Sequence, residues 1–65
     1  MPKHPEITIK ITQPTDNTRL VLQCLDTFWQ LGIQAEAEVF INDIAQMGLV
    51  PAVQAWFNVE NEAQK

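Results

Sequence analysis

Between Arg19 and Lys65 the chain has no lysine or arginine, and its 65 residues include no tyrosine, one cysteine and two glycines. Each scarcity excludes something. The single cysteine, Cys24, has no internal disulfide partner, so any stabilisation beyond the core is expected from a partner subunit. Gly32 and Gly48 stand alone, which excludes a glycine-rich phosphate-binding loop. No apolar run reaches the roughly 18 to 20 residues that span a bilayer, and the opening MPKHPEIT lacks the apolar stretch of a secretion signal. A cytoplasmic protein with no membrane role is expected. Catalytic spacing is missing too: there is no HxxH, HExxH or CxxC. No cofactor, metal or enzymatic function is expected.

What is present is hydrophobic and acidic. Apolar residues make up 46% and charged residues 18%, which argues against disorder, and the chain is short enough to form one domain at most. Residues 1–65 are read as that domain, with 1–5 and 61–65 expected to be flexible. The net charge of −4 is unevenly placed. Lys3, Lys10 and Arg19 lie near the start, while Asp26, Glu36, Glu38, Asp43, Glu60 and Glu62 fill a body free of cations. Nucleic acid is disfavoured as a partner, because affinity for phosphates draws on Lys and Arg. A protein with a basic surface suits the charge better.

Glu6 to Thr12 alternate strictly, placing Ile7, Ile9 and Ile11 on one face and Thr8 and Lys10 on the other, and this predicts a strand. Pro5 and Pro14 are expected to bound it. Asp16 or Asn17 is expected to cap a helix. In that helix Leu20, Val21, Leu22, Cys24, Leu25, Phe28, Trp29 and Leu31 fill an apolar arc of about 200°. An arc so wide needs cover on two sides. Gly32 ends this helix. A second helix is predicted over 35–47, with Ala37, Phe40, Ile41, Ile44 and Met47 inward and Glu36, Glu38, Asn42, Asp43 and Gln46 outward. Gly48 stops it, and Pro51 suits the first turn of a short third helix ending near Trp56 or Phe57.

A single strand must find a partner for its backbone groups. One solution returns residues 56–60 as a second strand, giving an α+β fold of order β-α-α-α-β with a small two-stranded sheet, parallel or antiparallel, packed on helices. The other pairs residues 6–12 with a second copy of the chain. The first is the expected fold.

His4 is read as a solvated residue of a mobile arm, and Cys24 as a small buried hydrophobe with no neighbouring cation to stabilise a thiolate. Glu36 and Asp43 share a helical stripe about 10 Å apart along the axis, on a convex polar side unsuited to catalysis. The candidates for a protein interface are Trp29, Leu22 and Asp26 on the first helix, Glu36, Val39 and Asp43 on the second, and Trp56. Tryptophan is the residue type most often found where interfaces concentrate their energy.

Two family resemblances bear on these elements. Strand, helix and helix over 7–47 resemble the ribbon-helix-helix DNA-binding proteins, which implies a dimer whose Thr8 and Lys10 read the major groove in a repressor or antitoxin. The third segment is extra to that pattern, and the second helix opens with Glu36 and Glu38 where that family meets phosphate. The order Ile7-Thr8-Ile9-Lys10-Ile11, a helix opened by Asn17, Leu31-Gly32-Ile33, an acidic helix, then Ala55-Trp56-Phe57-Asn58-Val59-Glu60 is similar to short uncharacterised proteins of phages and mobile elements. That likeness spans 6–60 and implies β-α-α-α-β and a phage or mobile-element setting. It departs in the first helix, which is basic in those proteins and here holds only Arg19. The expected function is a small acidic protein-binding module, likewise self-associating as a homo-oligomer, that modulates or inhibits a host protein by occlusion. A DNA-binding repressor and a structural assembly subunit are the alternatives.

Overall fold

The computed structural model describes residues 1–13 and 16–63. The chain runs β1 (His4–Gln13), α1 (Asn17–Gln30), α2 (Gln34–Met47), α3 (Leu49–Trp56) and β2 (Phe57–Ala63). The strands form a two-stranded parallel sheet, so the fold is α+β with the expected order β-α-α-α-β. β1 finds its partner in its own chain, and the pairing with a second copy that a ribbon-helix-helix arrangement requires is not how this sheet is closed. Among the described residues no helix is long and apolar enough to cross a membrane.

Register explains how the ends of the chain are placed. Residues from Thr8 to Gln13 pair one-to-one with Asn58 to Ala63, whereas His4 pairs with Phe57, immediately before Asn58. β1 therefore advances from His4 to Thr8 while β2 advances by a single residue. Pro5, expected to bound the strand, falls inside this irregular stretch, where its missing N–H costs no ladder bond. The strands also run further than the alternation predicted, beginning at His4 and taking in Asn61 to Ala63. Pro14, expected to end β1, lies outside the described residues, as do Gln64 and Lys65.

Helix ends follow local chemistry. Asp16 caps α1, its Oδ1 accepting from the Arg19 backbone N–H at 3.2 Å. At the other end Gly32, at φ 71°, donates to Trp29 O, and Ile33 donates to Phe28 O at 3.0 Å. This is a Schellman ending, in which the left-handed residue is glycine because a Cβ is disfavoured there. α2 starts at Ile33 without a side-chain cap, and Gly48 serves as both the end of α2 and the start of α3. Its φ of 97° and ψ of 162° belong to backbone that only glycine adopts readily. Pro51 sits in the first turn of α3 as expected.

The core joins every element. Ile9 and Ile11 from β1, Leu20, Cys24 and Phe28 from α1, Ala37 and Phe40 from α2, Ala52, Val53 and Trp56 from α3, and Phe57 from β2 are buried. At its centre Phe28 lies 5.4 Å from Phe40, 5.6 Å from Trp56 and 5.5 Å from Phe57 between ring centroids. Phe40 in turn lies 5.8 Å from Trp56 and 5.9 Å from Phe57. The rings meet tilted or edge to face, the geometry in which each pair contributes about 0.5–1.5 kcal/mol beyond its burial.

The inward faces are narrower than the periodicity predicts. Leu22, Trp29 and Leu31 of the α1 arc are exposed, as are Ile41 and Met47 of α2 and Val50 of α3. A two-stranded sheet and three short helices cannot cover an arc of that width, so its margin faces solvent.

Two outcomes test this core. Phe40→Ala should cost about 3–5 kcal/mol, a large share of the roughly 3–10 kcal/mol a chain of this size holds, and urea denaturation at 25 °C should show the unfolding midpoint moved to much lower urea. Burial pushes the Cys24 thiol up from 9.0 to about 12. A pKa raised in the folded state means that Cys24 favours folding fully below the unfolded value, and that this contribution is lost as pH rises through the folded value. Between about pH 9 and 12 the wild type should therefore lose stability faster than Cys24→Ala, measured by denaturation at stepped pH.

Candidate functional site

The irregular register of β1 has a consequence at its first residue. Strict alternation from Ile7 back to His4 would turn the histidine outward with Thr8 and Lys10. Because β1 holds an odd number of extra residues between His4 and Thr8, His4 instead shares the inward side with its partner Phe57. Its side chain is 20% exposed and its ring stacks near Trp56 and Phe57, with centroids 6.0 and 6.3 Å apart. The imidazole Nε2 lies 3.1 Å from Glu36 Oε1, and Nδ1 lies 3.5 Å from Glu6 Oε1. The expectation of a solvated arm residue is thus corrected: His4 is anchored between two carboxylates and two rings.

Around it the arm is fastened to the helices. The Lys3 backbone N–H donates to Ala55 O at 3.1 Å, and the Lys3 ammonium sits 4.1 Å from the centroid of the Trp56 ring. The Nε1–H of that indole donates to Asp43 Oδ2 at 2.8 Å. Trp56 is 1% exposed, so the interface candidate is the largest of the fully buried side chains and offers no surface to a partner. Its burial is possible because Asp43 accepts its N–H, a bond strengthened by the carboxylate charge.

Glu36 and Asp43 are likewise displaced from their expected role. They stand one helical turn before and after the buried Phe40, on a stripe that borders the core, and both are half-buried. Instead of a convex acidic face they form internal bonds, one to His4 and one to Trp56. The expected acidic face on α2 keeps Glu38, which with Val39, Ile41, Asn42 and Ala45 lines a shallow depression. One helix alone forms its floor, so nothing encloses a small ligand there. Among the described residues no group of three His, Cys, Asp or Glu is placed to hold a metal ion.

The remaining candidates lie on α1 and on the sheet. Leu22 and Trp29 are 61% and 60% exposed, two turns apart on one stripe, with Leu25 half-buried between them. Asp26 sits beside this stripe and accepts from Gln30 Nε2 at 2.8 Å. Thr8 and Lys10 are exposed on the outer face of the sheet, where Thr8 pairs with Asn58 and Lys10 with Glu60. The Asn58 Nδ2 approaches Thr8 Oγ1 at 3.4 Å.

The fold and these surfaces define a small α+β domain with an exposed apolar stripe on one helix and an anchored N-terminal arm. Comparison of the chain with protein-family models, with curated proteins and with solved structures finds no match.

Asp43→Ala should leave the indole N–H of Trp56 unpaired and cost about 1–3 kcal/mol in urea denaturation followed by tryptophan fluorescence. Asp43→Asn, which keeps an acceptor at that point, should recover most of this loss. Equal stability of both variants and the wild type would show that the bond contributes nothing.

Proposed function

We propose that this protein is an acidic protein-binding module that uses the α1 stripe of Leu22, Leu25 and Trp29, edged by Asp26, to occlude a basic amphipathic surface on its partner. The observation that carries this reading is Trp29. Three phenylalanines and two tryptophans are the only aromatic residues, and all but Trp29 are packed into the core. A tryptophan left 60% exposed in a domain short of buried surface is an anchor without a pocket in its own chain. Leu22 extends the same stripe by two turns, and Leu25 joins it to the core. No cation follows Arg19 on α1, so the charge beside the stripe is that of Asp26 and favours a basic partner.

The direct test titrates the protein with a helical peptide of lysine and leucine, and with its glutamate counterpart, while following tryptophan emission. The basic peptide should shift the emission to the blue as Trp29 leaves water, and the acidic peptide should not. Trp29→Ala should weaken the complex about thirtyfold, the scale of a 2 kcal/mol hot spot at about 25 °C. Undiminished binding by Trp29→Ala would exclude the stripe as the docking surface.

A further inference from the structure

The buried tryptophan shows how this protein surrounds an indole when every group is present. Trp56 holds the Lys3 ammonium 4.1 Å from its ring centroid and donates its Nε1–H to Asp43 Oδ2 at 2.8 Å, so a cation and a carboxylate share one ring. The exposed tryptophan has the carboxylate without the cation. Asp26 lies three residues before Trp29 on α1, a spacing that sets their Cβ atoms about 5–6 Å apart on the helix surface. The described cations stand elsewhere: Lys3 is at Trp56, Lys10 is on the outer face of the sheet, and Arg19 is in the first turn of α1, about 15 Å from Trp29 along the axis.

Three features of this corner favour a positive charge. Asp26 is exposed, and Gln30 Nε2 donates to its Oδ2 at 2.8 Å, which steadies the carboxylate and leaves Oδ1 to accept from outside. The last turn of α1 contains no basic residue, so the negative end of its dipole has no compensating charge within the helix. Trp29 itself offers an indole to solvent. Arginine satisfies these together better than lysine does. A guanidinium is planar, so it lies flat on an indole while its edge donates to a neighbouring carboxylate. A lysine ammonium is a point charge; at Trp56 it meets the ring and leaves Asp43 to the indole N–H.

We infer that the Trp29 end of the α1 stripe, together with Asp26, is a recognition site for an arginine side chain of the partner protein. The inference rests on the docking surface proposed above and names the side chain that it reads. Leu22 supplies the register, because it stands two turns, about 10 Å, before Trp29. A partner helix that packs a leucine on Leu22 therefore presents its arginine to Trp29 from seven residues away.

Calorimetric titration of the full chain with two helical peptides of one sequence, differing only in lysine or arginine beside their leucines, tests this. Wild type should bind the arginine peptide about fivefold more tightly, the scale of one cation–π contact at an exposed site. Asp26→Asn and Trp29→Leu, both at exposed positions and checked for folding by circular dichroism, should each bind the two peptides alike. Trp29→Leu keeps an apolar side chain on the stripe, so loss of the preference reports the ring and not its bulk. Equal binding of both peptides by the wild type, or a preference that survives in either variant, would overturn the inference and leave the stripe as a docking surface. Binding of neither peptide would remove the docking surface, and the inference with it.

Discussion

The first and last segments of the chain lie side by side and point the same way. A parallel pair cannot be closed by a tight turn, so everything between β1 and β2 must travel back across one face of the sheet. α1, α2 and α3 are that return path. Alternation in β1 then decides the rest: Ile7, Ile9 and Ile11 turn toward the helices, and Thr8 and Lys10 turn away. A sheet this narrow gives the helices little to pack against, so they pack chiefly on one another through Phe28, Phe40 and Trp56.

That aromatic centre ties the two ends of the chain into the core. Trp56 is the last residue of α3 and Phe57 the first of β2, so the change from helix to strand occurs inside the ring cluster. Lys3 and His4 cover the same indole from the N-terminal arm, and Asp43 satisfies its N–H from α2. One side chain is thereby held by the N-terminal arm, the middle and the last helix of the chain. With the other rings committed, Trp29 and Leu22 remain as apolar surface that the domain's own elements do not reach. The functional proposal grows from that remainder.

Much of this architecture was legible in the residues. The alternation in 7–11, the stops at Gly32 and Gly48, the acidic cap at residue 16 and Pro51 near the start of α3 are local signals, and the structure follows them. The direction of the sheet was not legible, since nothing local distinguishes a parallel from an antiparallel return. The setting of His4 was missed for a related reason. Its inward turn depends on the register of β1 against β2, and Pro5 beside it reads as a boundary when only the local sequence is considered. Glu36 and Asp43 look like surface charges because they are acidic, yet their spacing from Phe40 already placed them on the border of the buried stripe. The α1 arc was read as needing cover on two sides, whereas Leu22, Trp29 and Leu31 at its margin are exposed, because the part left bare depended on how many elements the short chain supplies.

The parallel pairing of the chain ends underlies all of this, and NMR tests it most directly. Contacts between backbone protons should run in the same direction along both strands, with Ile9 near Val59, Ile11 near Asn61 and Thr8 near Asn58. Contacts in the reverse order, with Ile11 near Asn58 and Thr8 near Asn61, would mean an antiparallel return and would contradict the account.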